Sequence, residues 1–185
     1  TPLFTVFITG ILTFVVIGPV MRGLGDGITT GLLWLINTLG PIGGAIFGFL
    51  YAPIVITGMH HSFVAIETQL LADIATTGGS FIFPVAAMSN VAQGAAALSV
   101  LLILRKDNKM KGIASASGIS ALLGITEPAI FGVNLKLRYP FFGAMIGSAV
   151  GSAYVMLTKV LAISPGAAGL PGIISIRPSS IVNYR

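Results

Sequence analysis

The 185-residue chain contains no cysteine. Disulfides, thiolate metal sites and a cysteine nucleophile are therefore excluded within these residues. Charge is the second scarcity: Asp, Glu, Lys and Arg make up 8% of the chain, against about a quarter in an ordinary soluble domain. With 55% hydrophobic residues and a mean hydropathy of +0.98, a water-soluble globule is excluded as well. Residues 1–21, 27–59, 74–104 and 139–158 hold no charged side chain, and about 20 apolar residues span a bilayer core. The expected fold class is all-α, a polytopic membrane protein of helices with re-entrant hairpins.

Glycine (24 residues) and proline (10) are abundant, which suits membrane helices that pack closely, kink or break. The net charge of +5 comes from basic residues set between apolar runs, as cytoplasmic loops require, so nucleic acid is not expected as a partner. No P-loop, GxSxG triad, Rossmann fingerprint, HExxH or Cys/His spacing occurs, so the expectation is no metal, no cofactor and no self-contained soluble-type enzyme.

The sequence opens inside an apolar run, Thr1 to Met21, without a charged leader or a small-residue cleavage site, and reads as starting mid-protein rather than as a signal peptide. Arg22 to Asp26 (RGLGD) are expected to form a glycine-rich turn. Ile28 to Tyr51 should break near residues 40–44 (Gly-Pro-Ile-Gly-Gly), giving two helices or one broken one. Phe63 to Ile74 carry Glu67, Gln69 and Asp73 and should face protein or water rather than lipid. Phe81 to Leu104 read as a spanning helix, with Asn90 and Gln93 on one face. The run Arg105 to Lys111, five of seven residues charged and four of them basic, is cytoplasmic by the positive-inside rule. Gly112 to Leu123 are too few to cross, and the chain breaks at Gly124-Ile125-Thr126-Glu127-Pro128. A re-entrant hairpin near 112–135 is expected, with Lys136 and Arg138 returning to the cytoplasmic side. Tyr139 to Ile163 should span again, and the tail with Arg177 and Arg185 is left unassigned.

Glu127 is the principal candidate for chemistry. An intramembrane carboxylate costs about 2.5–3.5 kcal/mol on insertion scales and marks function by default. The plainer reading is that it caps the helix that Pro128 begins, and both can hold. His60 and His61 follow a glycine break; an imidazole there can donate to one hydroxyl and accept from another. Adjacent histidines on a helix do not face one site, so one of them is expected to be structural. Thr126, Asn90, Gln93 and Asn134 offer hydroxyl and amide contacts, or bonds between helices.

Three stretches, GMHHSFVAIETQLLADI (58–74), FPVAAMSNVAQGAAAL (83–98) and GITEPAIFGVNLKLRYPF (124–142), resemble the enzyme IIC membrane component of the bacterial phosphoenolpyruvate-dependent sugar phosphotransferase system. The branch is the glucose, sucrose and β-glucoside one; sucrose-type permeases are nearest and trehalose-type second. The resemblance covers nearly all of residues 1–185 but only the C-terminal half of a IIC domain. It implies a homodimer in the bacterial inner membrane that binds an extracellular sugar, expected to be sucrose, and presents it for phosphorylation. The donor would be a phosphocysteine on a IIB domain outside this chain, making the chain the translocating part of a sugar phosphotransferase. In this reading Glu127 contacts the hydroxyl that receives the phosphoryl group, and His60 or His61 lines the same site. Trehalose, maltose and β-glucosides are the alternative sugars. An ion-coupled secondary transporter is the alternative mechanism, since broken helices and a lone carboxylate also suit ion coupling.

Overall fold

A computed structural model describes residues 2–104 and 107–180, with the backbone alone at 21, 22, 24–26, 28, 29 and 179. Arg105, Lys106 and Arg185 lie outside the described residues. The described residues are helical almost throughout, and no strand occurs among them beyond two isolated β-bridges.

The first helix, α1 (Pro2–Leu12), runs through one π-helical turn (Thr13–Ile17) into α2 (Gly18–Leu39). Pro19 has no N–H for its own turn, and the widened turn lets the Gly18 N–H reach the Thr13 carbonyl. The turn expected at Arg22–Asp26 does not form, because α2 is continuous from Gly18 to Leu39. Glycine in a helix costs about 1 kcal/mol relative to alanine, whereas unpaired backbone groups in an apolar setting cost several. The break instead falls at Gly40, whose φ of +53° is open to glycine but disfavours side chains.

Helix α3 (Pro41–Ile56) ends at Gly58 (φ +77°), followed by a 3₁₀ turn (Met59–His61) and α4 (Ser62–Ala72). The chain bends by 115° between α3 and this second segment. A short α5 (Ile74–Thr77) leads to α6 (Ile82–Ile103). At about 1.5 Å per residue, α6 reaches roughly 33 Å, enough to cross a bilayer core. Pro2–Val20, Ile82–Ile103 and Tyr139–Leu157 are long and apolar enough to span, and the bent pair Pro41–Ala72 is a fourth candidate.

Asp107 caps α7 (Asn108–Leu122), accepting the Met110 N–H at 2.9 Å. The helix therefore starts before Gly112, yet at 15 residues it remains short of a crossing. After the turn at 123–126 the chain returns through α8 (Glu127–Ala129), a second π turn (Ile130–Asn134) and α9 (Leu135–Leu137). Leu104, Met110 and Leu137 pack in one cluster, so both ends of this hairpin lie together.

The core is built by α3, α6 and α10 (Tyr139–Leu157), with α10 packed on both of the others. Phe47, Tyr51 and Phe63 form an aromatic cluster with ring centroids 5.5–6.2 Å apart. Along the α3–α10 seam, Gly44 and Gly48 face Ser148 and Ser152, and the Ser148 hydroxyl donates to the Gly48 carbonyl at 2.7 Å.

Helix α10 stops at Leu157, short of the Ile163 expected. Lys159 adopts φ +53°, and the N–H groups of Lys159 and Val160 bond back to Met156 and Val155. This is a Schellman end with its characteristic apolar contact between Val155 and Val160. The tail does not cross within the described residues. It folds under the core, with Ala162 bridged to Ser80 and Ile176 and 3₁₀ turns at Leu170–Ser175 and Pro178–Ser180.

Candidate functional site

The site is assembled from two chain breaks. Gly58 turns the backbone sharply and leaves Met59–His61 as a 3₁₀ turn between two helices, so the histidines stand at the elbow of the bent pair. Gly124 (φ +107°) turns the hairpin tip, and Pro128 then starts a helix with Glu127 as its first residue. Although these segments are far apart in sequence, the fold brings the Glu127 carboxylate close enough to act electrostatically on the His60 imidazole. Neither side chain hydrogen-bonds to the other.

The rings of His60 and His61 lie beside each other on the turn, with centroids 4.1 Å apart. His60 is half-buried and lies near the Val55 carbonyl, yet its Nδ1 is enclosed without a well-formed hydrogen bond. Glu127 and His61 are exposed, and Thr126 is buried beside Glu127 with its carbonyl taken by the Ile130 N–H at 2.8 Å. Glu127 thus offers an exposed carboxylate, with acceptor capacity for two hydroxyls, within electrostatic reach of a half-buried imidazole.

The family sequence model "Phosphotransferase system, EIIC" matches residues 1–148. The chain belongs to the EIIC family of the phosphotransferase system. It is 65% identical over its whole length to the sucrose-specific EIIBC component of Pasteurella multocida (strain Pm70), covering 39% of that protein. The sucrose-specific EIIBC component of Staphylococcus xylosus is 64% identical over 95% of this chain and 37% of the relative. The trehalose-specific EIIBC component of Bacillus subtilis (strain 168) is 47% identical over 93% of this chain and 36% of the relative. The chain spans about two fifths of the length of the curated relatives it matches. No solved structure matches it. EIIC proteins are membrane proteins, as the apolar spans of this chain require.

Three side-chain amides of this EIIC chain, Asn90, Gln93 and Asn134, sit behind the tip. Asn90 of α6 donates to the Ala168 carbonyl and, at 3.5 Å, to that of Gly124, tying the hairpin tip to the tail. Asn134, on the π turn, donates to the backbone carbonyl and Oε1 of Gln93 at 2.9 and 2.7 Å. Gln93 and Asn134 are 1% and 0% exposed, and their remaining Nε2 and Oδ1 are buried without partners. The structure therefore puts His60 within electrostatic reach of Glu127 and keeps Gln93 and Asn134 in the seam between α6 and the hairpin.

Glu67 faces protein, as its polarity implied: the Ser80 hydroxyl donates to it at 3.1 Å, and the Ser80 oxygen accepts the Ile82 N–H at the start of α6.

Proposed function

We propose that the chain is the C-terminal part of the IIC domain of a sucrose permease, which binds the sugar and presents it for phosphorylation during import across the bacterial inner membrane. The observation that carries the reading is the nearness of half-buried His60 to Glu127, exposed on the hairpin tip. The 65% identity to sucrose-specific relatives, against 47% to a trehalose-specific one, supports sucrose over trehalose.

In this mechanism Glu127 accepts hydrogen bonds from the hydroxyl that is to be phosphorylated and from its neighbour. His60 donates to or accepts from a further hydroxyl, His61 backs its ring, and Thr126 fixes the start of the helix that carries Glu127. Asn90, Gln93 and Asn134 are positioning residues that hold the hairpin. The hairpin enters and leaves the membrane from the cytoplasmic side, bringing the accepting hydroxyl to the phosphocysteine of the IIB domain. The sulfur–phosphorus bond breaks as the oxygen–phosphorus bond forms, and the hydroxyl proton leaves to Glu127 or water. Such transfers depend chiefly on positioning. The functional unit is a homodimer of the complete protein.

Membrane vesicles holding the full-length protein, phosphoenolpyruvate and the general phosphotransferase proteins should convert labelled sucrose into sucrose phosphate faster than they convert trehalose. Glu127→Gln should abolish conversion. Accumulation of unmodified sucrose driven by an ion gradient would overturn the reading.

A further inference from the structure

We propose that the groove between α6 and α10 is a seat for one anionic phospholipid, its acyl chain along the groove and its phosphate on the basic edge at one end. The groove holds about 680 Å³ and is walled by Ala92, Ala96, Ile103, Tyr139, Gly143 and Gly147, a volume within the roughly 300–1,000 Å³ of small-molecule sites. Both of its walls are helices able to span a membrane. Its lining is apolar and carries no charge, which suits hydrocarbon.

The headgroup assignment comes from where the groove ends. Leu104 and Leu137 close that end, and both pack with Met110. Lys109 and Lys111 flank Met110, and Lys136 and Arg138 flank Leu137. Four cations are therefore chain neighbours of the residues packed at this end of an uncharged groove; Lys109, Lys136 and Arg138 are exposed and Lys111 is half-buried, with no ion pair among the described residues. The one acid nearby, Asp107, is engaged as the cap of α7. Arg138, with φ +65°, is exposed at the turn between α9 and α10. Exposed Tyr139 adds the aromatic residue typical of the membrane interface. A basic mouth above an apolar slot between spanning helices is the arrangement that recognises anionic lipid headgroups.

Native mass spectrometry of the full-length protein, titrated with equal amounts of phosphatidylglycerol and phosphatidylethanolamine, tests this. Wild-type protein should retain phosphatidylglycerol preferentially. Lys136→Gln with Arg138→Gln should reduce that retention about tenfold or more, since each surface cation changes anionic-lipid affinity roughly fivefold. Gly143→Leu should reduce retention of both lipids by filling the slot. A Cβ at Gly143 meets nothing within 4 Å, so circular dichroism should show an unchanged fold. Equal retention of the two lipids, or a preference untouched by the charge changes, would overturn the proposal. So would a charge variant that keeps its lipid but loses phosphoryl transfer, because the basic edge would then serve a protein partner.

Discussion

Gly48→Ala adds one methyl group to the centre of the α3–α10 seam. Built on the existing backbone, that Cβ would lie 2.2 Å from the Ser152 Oγ, 2.6 Å from the Ser152 Cβ and 2.7 Å from the Ser148 carbonyl oxygen. A serine hydroxyl can rotate away; a backbone carbonyl in mid-helix cannot. The carbonyl must recede to the 3.4–4 Å of ordinary contact, so the helices must separate. A gap of 0.5–1 Å forfeits a quarter to a half of each dispersion contact it opens. The Ser148–Gly48 hydrogen bond, 2.7 Å long and typically worth about 1 kcal/mol, would be lengthened too. Overpacking of this kind costs about 1–3 kcal/mol, and the upper half of that range is expected here. The same change at Gly143, where a Cβ meets nothing, should be neutral or stabilise by up to about 1 kcal/mol through helix propensity. Thermal or denaturant unfolding of the purified full-length protein should therefore place Gly48→Ala well below wild type and Gly143→Ala at or above it. Adding Ser152→Gly to Gly48→Ala should recover only part of the loss, because the Ser148 carbonyl remains. A Gly48→Ala protein as stable as wild type, or equal losses at Gly48 and Gly143, would refute the seam.

Asn134→Ala removes both donors to Gln93 and leaves a buried amide unsatisfied, at a cost of about 1–2 kcal/mol; unfolding midpoints should fall, and hydrogen exchange should rise in residues 127–137. Lys159→Gly relieves a left-handed side-chain position that costs about 1–2 kcal/mol. After glycine's own entropic penalty, it should stabilise by up to about 1 kcal/mol, read as a raised melting temperature.

The break at Gly40, the extent of α6 and the turned hairpin were legible because each rests on local chemistry: a Gly-Pro pair, an uninterrupted apolar run, a basic cluster followed by Gly and Pro. The glycines of RGLGD misled because turn propensity is weighed against water, and in an apolar segment an unmade backbone hydrogen bond costs more than a glycine in a helix. The end of α10 was missed since Lys159 carries no sequence mark of a left-handed residue; only its place between Val155 and Val160 makes the cap. Asn90, Gln93 and Asn134 were visible as polar groups among apolar ones. That Gln93 and Asn134 would choose each other depends on the pairing of α6 with the π turn, which no local pattern encodes. The closeness of Gly48 to Ser148 is likewise tertiary.

The central claim is that His60 and Glu127 belong to one sugar site. Equilibrium binding of labelled sucrose to the purified full-length protein, with Glu127→Gln, His60→Gln and the double variant, tests it directly. The account predicts that each single change weakens binding at least about tenfold, as loss of a charged or buried hydrogen bond does, and that the double change costs less than the product of the two. Sucrose binding left intact by Glu127→Gln, or two effects that simply multiply, would contradict it.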